Sequence, residues 1–351
     1  MVATLTARDL GGLHWMILRG QREEAFRLLG EHAAADTEAV LDELPGRARL
    51  ASAIAREPAL YQSIRATTSS RHPETWAELH ALARGAGVPF DDLLLINLRG
   101  DLGTGDGTGC TDLAWGGDRP LVGHNEDGAP VLDGRSRLLT LLIHGEPGVC
   151  VWWYPGFLPA NTFAVTARGM VWGIDHVGVT RPGPGAGRHF VARSMQRVDS
   201  VPAAVQHLRA NPSAGGFAYT IGQVGRPGVT VVEAAGAQTV VTPVLQGFSW
   251  HTNHFRQLSH LDVAAAESLA RADVCTRLEP EQADAGWLLD TLTGKPVPDG
   301  LHRDASGGDS LMTLSTMVAD LAEGVVTIVS RGSDPLRATV RELASGVVPA
   351  A

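Results

Sequence analysis

Four glycines alternate with small polar residues between Gly103 and Gly109, and they divide the chain into two textures. Ahead of them, residues 20–98 carry apolar residues at helical spacing. Runs such as REEAFRLLGEHAAADTEAVLDEL and PETWAELHALARGAGV have Gly or Pro at their ends. Behind them, from Cys110 to about Val179, the chain turns to short β-type runs separated by turn residues: PLVGHNED, SRLLTLLIHG, VCVWWYPG, TFAVTARG and MVWGIDHVGV. A doubly wound parallel sheet needs strand and helix to alternate, and this meander does not. A helical run (GRHFVARSMQRVDSVPAAVQHLRA) follows, then strands FAYTIGQV, GVTVVEAA, QTVVTPV and FSWHTNHF. Residues 258–293 read as helical, GKPVPDGLHRDASGGDS as a long loop, and LMTLSTMVADL with GVVTIVSRG as a last hairpin. Helices kept to the outsides of antiparallel sheets predict an α+β fold, a four-layer αββα sandwich, preceded by a helical N-terminal segment.

The 351 residues suffice for one large domain or two small ones. With 44% hydrophobic and 19% charged residues the composition is that of a globular protein with a substantial core. A net charge of -9, without Lys/Arg runs, argues against nucleic acid or an anionic membrane as partner. No leader of signal-peptide pattern and no run of membrane-span length appears, so a cytoplasmic location is expected by default. The three cysteines, Cys110, Cys150 and Cys275, form no disulfide framework. Cys150 sits in an apolar strand and Cys275 in a helical run, as inert core thiols do. Cys110 differs, because glycine and small polar residues lead directly into it.

What that glycine run does admits several answers. A dinucleotide fingerprint starting at Gly103 would need glycine at Thr108, and one starting at Gly105 would need it at Cys110. No Gly-Lys-Ser/Thr follows, and CTDLAW reads as a strand rather than a helix, so a phosphate loop is set aside. A metal site is also set aside. No Cys-x-x-Cys pair exists, and His251 and His254 would point to different faces of a strand end. A cleavage site uses the features better. A thiol can attack the carbonyl just before it, and Gly109, lacking a Cβ, tolerates the geometry. The cut would leave Cys110 N-terminal, with an α-amine titrating near neutrality that serves as base for its own thiol. No catalytic histidine is then required. On these residues alone, a plain loop cysteine between helices and sheet stands equally open.

Other stretches bear on the choice. GCTDLAW followed by GDRPLVGHNEDG resembles the nucleophile region of the self-processing penicillin acyltransferase family. Its members are cysteine N-terminal nucleophile hydrolases, related more distantly to bile salt and penicillin V hydrolases. LLLINLRGDL, RGQREEAFRLLGEH, GFLPANTFAVTARGMVWGIDHVGV and SWHTNHF add to the likeness, in the expected order over most of the chain.

The resemblance implies the αββα fold, cleavage before the cysteine, and hydrolysis of an amide or transfer of its acyl group to an amine. It implies Cys110 as nucleophile, Gly109 as the residue before the cut, Asp127 as the acid orienting the new amine, and Asn253 as an oxyanion donor. Such a donor contributes roughly 3 kcal/mol to the transition state. Residues 1–109 would form a mainly helical fragment and 110–351 the catalytic body, staying associated after the cut. Asn125, His124, Asp175, His176, Trp250 and Arg303 are further pocket candidates. His124 stands where bile salt hydrolases carry arginine, and Asp175–His176 where relatives often carry asparagine. Arg303 is the first choice for a late site arginine and Arg331 the second. Trp152, Trp153 and Trp172 are expected in the core.

Standing alone, Asp127 could cap a turn and Asn253 could bridge two strand ends. The set in this order favours an enzyme acting on a small N-acyl compound through a Cys110 thioester, with no cofactor and no metal. A homo-oligomer is allowed. The alternative is a non-catalytic relative that keeps the fold and binds a small amide or peptide.

Overall fold

A computed structural model describes residues 2–103 and 109–349. The glycines at 105 and 107, with their neighbours at 104, 106 and 108, lie outside the described residues. The chain opens with strands β1 (Thr4–Leu10) and β2 (Leu13–Gly20), a hairpin that the helical reading of residues 1–109 did not place. Its signal was the Gly11-Gly12 pair, which turns the chain in two residues with φ of 62° and 90°. A positive-φ pair of this kind matches the twist of a two-residue hairpin. The helical region expected over residues 20–98 follows as six helices: α1 (Arg22–His32), α2 (Ala34–Glu43), α3 (Arg47–Arg56), α4 (Pro58–Arg71), α5 (Pro73–Ala86) and α6 (Phe90–Asn97). Prolines open α4 and α5, where a missing N–H costs nothing.

Beyond Gly109 run β3 (Gly109–Gly116), β4 (Leu121–Gly128), β5 (Arg137–Ile143), β6 (Val149–Trp153), β7 (Ala164–Thr166) and β8 (Met170–Val177). Helices α7 (Arg188–Met195) and α8 (Val201–Ala210) come next. The sequence reads there as one helical run, but Ser200 caps a new start and Pro202 opens its first turn. Then come β9 (Ser213–Gln223), β10 (Val229–Gly236), β11 (Gln238–Val244) and β12 (Gly247–His251). The helical reading of 258–293 resolves into α9 (Ala266–Thr276) and α10 (Ala285–Thr293), separated by a loop. Strands β13 (Met312–Asp320), β14 (Val325–Ser330) and β15 (Leu336–Thr339) and helix α11 (Val340–Ser345) end the chain.

Two sheets result. The larger runs β1-β2-β5-β6-β7-β8-β9-β10-β11, an antiparallel meander except for the parallel β2–β5 pair. The smaller, antiparallel throughout, runs β12-β3-β4-β13-β14-β15, so PLVGHNED leaves the meander to pair with β3. Strands β3 and β4 face β8 and β9 across the middle. Helices α7 and α8 cover the outer face of the large sheet, and α10 covers β4 and β13, completing αββα. No described helix is long and apolar enough to cross a membrane.

Alternation along β3 and β4 decides what meets in the middle. Cys110 lies opposite Glu126 and Asp112 opposite His124, so these four share one face. That face looks at β8, where a Cβ on Gly173 would overlap Asp112 and His124. The other face, with Leu113, meets Leu288 and Leu292 of α10. All eight residues of β4 are therefore buried, and four of them, His124 to Asp127, are polar. The inter-sheet layer is charged here.

Candidate active site

Cys110 is the second residue of β3 and is 3% exposed. Its backbone N–H donates to Asn253 Oδ1 at 3.0 Å, and its carbonyl accepts from Arg271 Nη1. Arg271, on α9 and buried, also donates to Thr111 Oγ1 at 2.8 Å and to Asn253 Oδ1 at 2.6 Å. Asn253 Nδ2 donates to the His176 carbonyl at 2.9 Å. Two donors on one side and a carbonyl on the other fix which way this amide points. Asn253 gets there because β12 pairs with β3, bringing His251 opposite Asp112 just before the chain turns.

Gly109 lies opposite Asp127. A Cβ added to Gly109 would overlap Arg303 Nη1 and lie 3.4 Å from Asp127 Oδ2, so a side chain before the cysteine would have to displace the Arg303 guanidinium. Asp127 Oδ1 accepts from Thr313 Oγ1 at 2.8 Å, and Arg303 Nη1 stands 3.9 Å from Asp127 Oδ2. Among the described residues neither that oxygen nor Arg303 Nη1 has a hydrogen-bond partner. Arg303 is pinned by Asp309, to which Nε donates at 2.8 Å and Nη2 donates as well. It also borders a cavity of about 460 Å³, edged by Glu267, His302, Asp304 and Asp309.

Behind the cysteine runs a buried line of acids and imidazoles. Cys110 Sγ lies 3.8 Å from Glu126 Oε2, and Tyr154 donates its hydroxyl to Oε1. His124 donates from Nε2 to Glu126 at 2.9 Å and from Nδ1 to Asp112 at 2.7 Å. Asp175 lies close to Asp112 and accepts from His251 Nδ1 at 3.0 Å. His251 Nε2 reaches Glu233 at 3.1 Å, and Glu233 also accepts the backbone N–H groups of Arg256, Gln257 and Leu258.

Burial lowers the pKa of His124, but hydrogen bonds to Asp112 and Glu126 overcome it and raise it to about 10. For His251 burial is likewise outweighed, by Asp175 and Glu233, and its pKa is raised to about 9. Burial, with the charge of Asp112, lifts Asp175 to about 7. Burial also raises Glu126. It pushes the Cys110 thiol well above its ordinary range, helped by the charges of Glu126, Asp175 and Asp127 and opposed by the Asp127 backbone N–H. Both imidazoles are thus cations between carboxylates, and the thiol is protonated. Cys110, His124 and Glu126, and likewise Asp112, His124 and Asp175, gather ligand-type atoms within 4.8 Å of one another. Both His124 nitrogens bond carboxylates at hydrogen-bond distance, which links these groups into a hydrogen-bonded relay.

Residues 115–334 match the model of the family described as acyl-coenzyme A:6-aminopenicillanic acid acyl-transferase. The chain belongs to that family. The match takes in Asp127, Asn253, Arg271 and Arg303 and begins just after Cys110. Membership places the chain among amide-hydrolysing and acyl-transferring enzymes. No curated protein matches it. Among solved structures, two variants of the conjugated bile acid hydrolase from Clostridium perfringens are similar. One has 12% identity, a TM-score of 0.42 and coverage of 66% of this chain and 93% of that one. The other has 11%, 0.38, 66% and 92%. Likenesses at this level carry no functional argument.

Within this acyltransferase-family chain, Gly109, Cys110, Asp127, Asn253 and Arg303 converge on one peptide bond. His176 joins them through its carbonyl, and His124 and Asp175 through the relay. Asn125 does not join. It faces α10, donating to the Leu292 carbonyl at 2.8 Å and accepting from Thr316 at 2.6 Å. Trp250 also stands apart, half-buried with the Arg256 guanidinium 4.0 Å over its ring. Trp152, Trp153 and Trp172 are core. Arg331 sits near the surface by Asp133, away from Cys110. Sequence reasoning missed Arg271, Glu126, Asp112 and Tyr154. Alternation in Cys110-x-Asp112 and His124-x-Glu126 could have found two of them. Arg271 carries no comparable signal in an amphipathic helix.

Proposed function

We propose that this chain is a self-cleaving cysteine amidohydrolase or acyltransferase that acts on the C–N bond of a small N-acyl compound through a Cys110 thioester. The observation that carries the reading is the treatment of one atom. The backbone nitrogen of Cys110 is held by Asn253 Oδ1 at 3.0 Å, at the end of a strand whose leading residue, Gly109, lies against the Arg303 guanidinium. Cleavage of the Gly109–Cys110 bond turns that nitrogen into an α-amine. Asn253 Oδ1 then accepts from it, and the open oxygen of Asp127, opposite Gly109, is placed to fix its orientation and protonation.

In turnover the amine takes the thiol proton and the thiolate attacks the substrate carbonyl. The second hydrogen of Asn253 Nδ2, with a backbone N–H, stabilises the oxyanion. The leaving amine departs with the proton from the ammonium, and the acyl group remains on Sγ. Water then releases an acid, or an amine takes the acyl group. The cavity beside Arg303 is the approach for substrate. Residues 1–109 and 110–351 stay together after the cut, because β2 lies inside the large sheet beside β5. A reducing cytoplasm suits a free catalytic thiol.

A second reading has one observation in its favour. In the uncut chain Cys110 is buried and its thiol strongly protonated, as in a non-catalytic relative that binds a small amide. Intact mass of the purified protein beside Cys110→Ala separates the two. Fragments 1–109 and 110–351 in the wild type only are the expected result. A single full-length species in both, with Cys110 inert to alkylation, would establish the binding-protein reading instead.

A further inference from the structure

Self-cleavage raises a problem that turnover does not. Before the cut, the nitrogen of Cys110 is an amide and cannot act as a base. The thiol proton must go elsewhere, from a group that burial holds in its neutral form. Of the carboxylates around Gly109, Asp127 is bound to Thr313 and lies across the strand pair from the face that carries Sγ. Glu126 lies opposite Cys110 on the same face, with Oε2 3.8 Å from Sγ.

We infer that Glu126 is the base of the self-cleavage step, with His124 and Asp112 behind it as positioning residues. This rests on the self-cleavage reading and adds to it a residue acting only while the amine is absent. The Sγ–H proton passes to Glu126 Oε2 as sulfur bonds to the Gly109 carbonyl carbon. The proton then moves to the Cys110 nitrogen as the C–N bond breaks, leaving a Gly109–Cys110 thioester and a free amine. Water adds to the thioester carbonyl and the C–S bond breaks. The Gly109 carboxyl group keeps the water oxygen, and sulfur regains a proton. His124 clamps Oε2 from one side and Tyr154 clamps Oε1 from another, so the carboxylate is aimed before the reaction begins. The ionisable groups facing Glu126 are Cys110 on β3, His124 on β4, Tyr154 after β6 and Arg99 after α6, with Asp112 and Asp175 beyond His124.

The experiment is a short cell-free synthesis of the full chain, a jump to buffers from pH 5 to 9, and intact mass against time. Wild type, Cys110→Ala, Glu126→Gln and Tyr154→Phe are compared. General-base catalysis is worth about 10²–10⁴-fold, so Glu126→Gln should cut slower by that factor and lose the acid limb of the rate–pH profile. Tyr154→Phe removes a hydrogen bond that holds Glu126 ionised, so its acid limb should move to higher pH. This second variant keeps the ring and serves if Glu126→Gln fails to fold. Cleavage of Glu126→Gln at the wild-type rate, or an unmoved limb in Tyr154→Phe, overturns the role of Glu126 alone. An uncut wild type overturns the self-cleavage reading with it.

Discussion

Raising the pH should destabilise this protein from neutrality upward, because the inter-sheet layer stores protons. His124 is held near pH 10 and His251 near pH 9, against about 6.5 for an unfolded histidine. Both bind their proton more tightly when folded. Their stabilisation is therefore complete below about pH 6.5 and is lost as the pH rises through 9 and then 10. Asp175 acts in the same direction over an earlier window. Its carboxyl is lifted from 3.8 to about 7, so its contribution is complete below about pH 4 and lost as pH rises through 7. One pK unit corresponds to about 1.4 kcal/mol, so His251 alone represents on the order of 3 kcal/mol. The two imidazoles share the Asp112–Asp175 pair and do not add in full, so both together represent on the order of 5 kcal/mol. The assay is urea unfolding of the full-length Cys110→Ala chain at intervals from pH 6 to 10. Imidazole resonances of the folded protein, followed by NMR, identify the groups. An unfolding free energy that stays flat between pH 6.5 and 9 would refute the argument. So would two buried imidazoles that titrate near 6.5 in the folded state.

Four further outcomes are expected. Gly109→Ala pushes a methyl group into the pinned Arg303 guanidinium, so the chain should remain uncut and lose about 1–3 kcal/mol; a normal cut with unchanged urea midpoint counts against the crowding described. Arg271→Met strands the Cys110 carbonyl and the Thr111 hydroxyl and removes one of the two donors to Asn253 Oδ1. At about 1–3 kcal/mol for a stranded buried acceptor, the melting temperature should fall by several degrees and the cut slow at least tenfold, read by calorimetry and intact mass. The two fragments should co-elute in size-exclusion chromatography without denaturant, since Arg193 and Glu78 form a buried ion pair between them in addition to the β2–β5 pairing; separate peaks would contradict this. With an N-acyl substrate and hydroxylamine, a hydroxamate should form at the expense of the acid, and its absence at high hydroxylamine would leave hydrolysis only.

The sandwich was legible because short β-type runs bounded by turn residues and longer runs of helical spacing rarely overlap here. The strand character of CTDLAW followed from that, and so did a meander, read over Cys110 to about Val179, of which β3 and β4 belong instead to the smaller sheet. Two kinds of feature were not legible. One is continuity: VDSVPAAV looks helical throughout until Ser200 and Pro202 are recognised as a fresh start. The other is partnership over long range. Asn253 was named as an oxyanion donor from resemblance, while the structure places its carbonyl oxygen on the Cys110 nitrogen, a contact between residues 143 apart. Arg271 was invisible because a single arginine in an amphipathic helix normally faces water. Here α9 lies over the start of β3 and the guanidinium finds three acceptors indoors. Glu126 drew no attention beside Asn125 and Asp127, although strand geometry puts it, and not them, on the sulfur's side.

The acid–imidazole line from Glu126 to Glu233 also limits how such a chain can diverge. Each member satisfies a neighbour that has no route to water, so replacing one leaves a buried group short of a partner. The effects of substitutions at Asp112, His124, Glu126, Asp175, His251 and Glu233 are therefore coupled and should not add. A descendant that exchanged His124 for arginine would have to rebuild Asp112, Glu126 and the space above Gly173 in the same lineage. The six positions should behave as one inherited unit, travelling together through divergence while the surrounding apolar core drifts residue by residue.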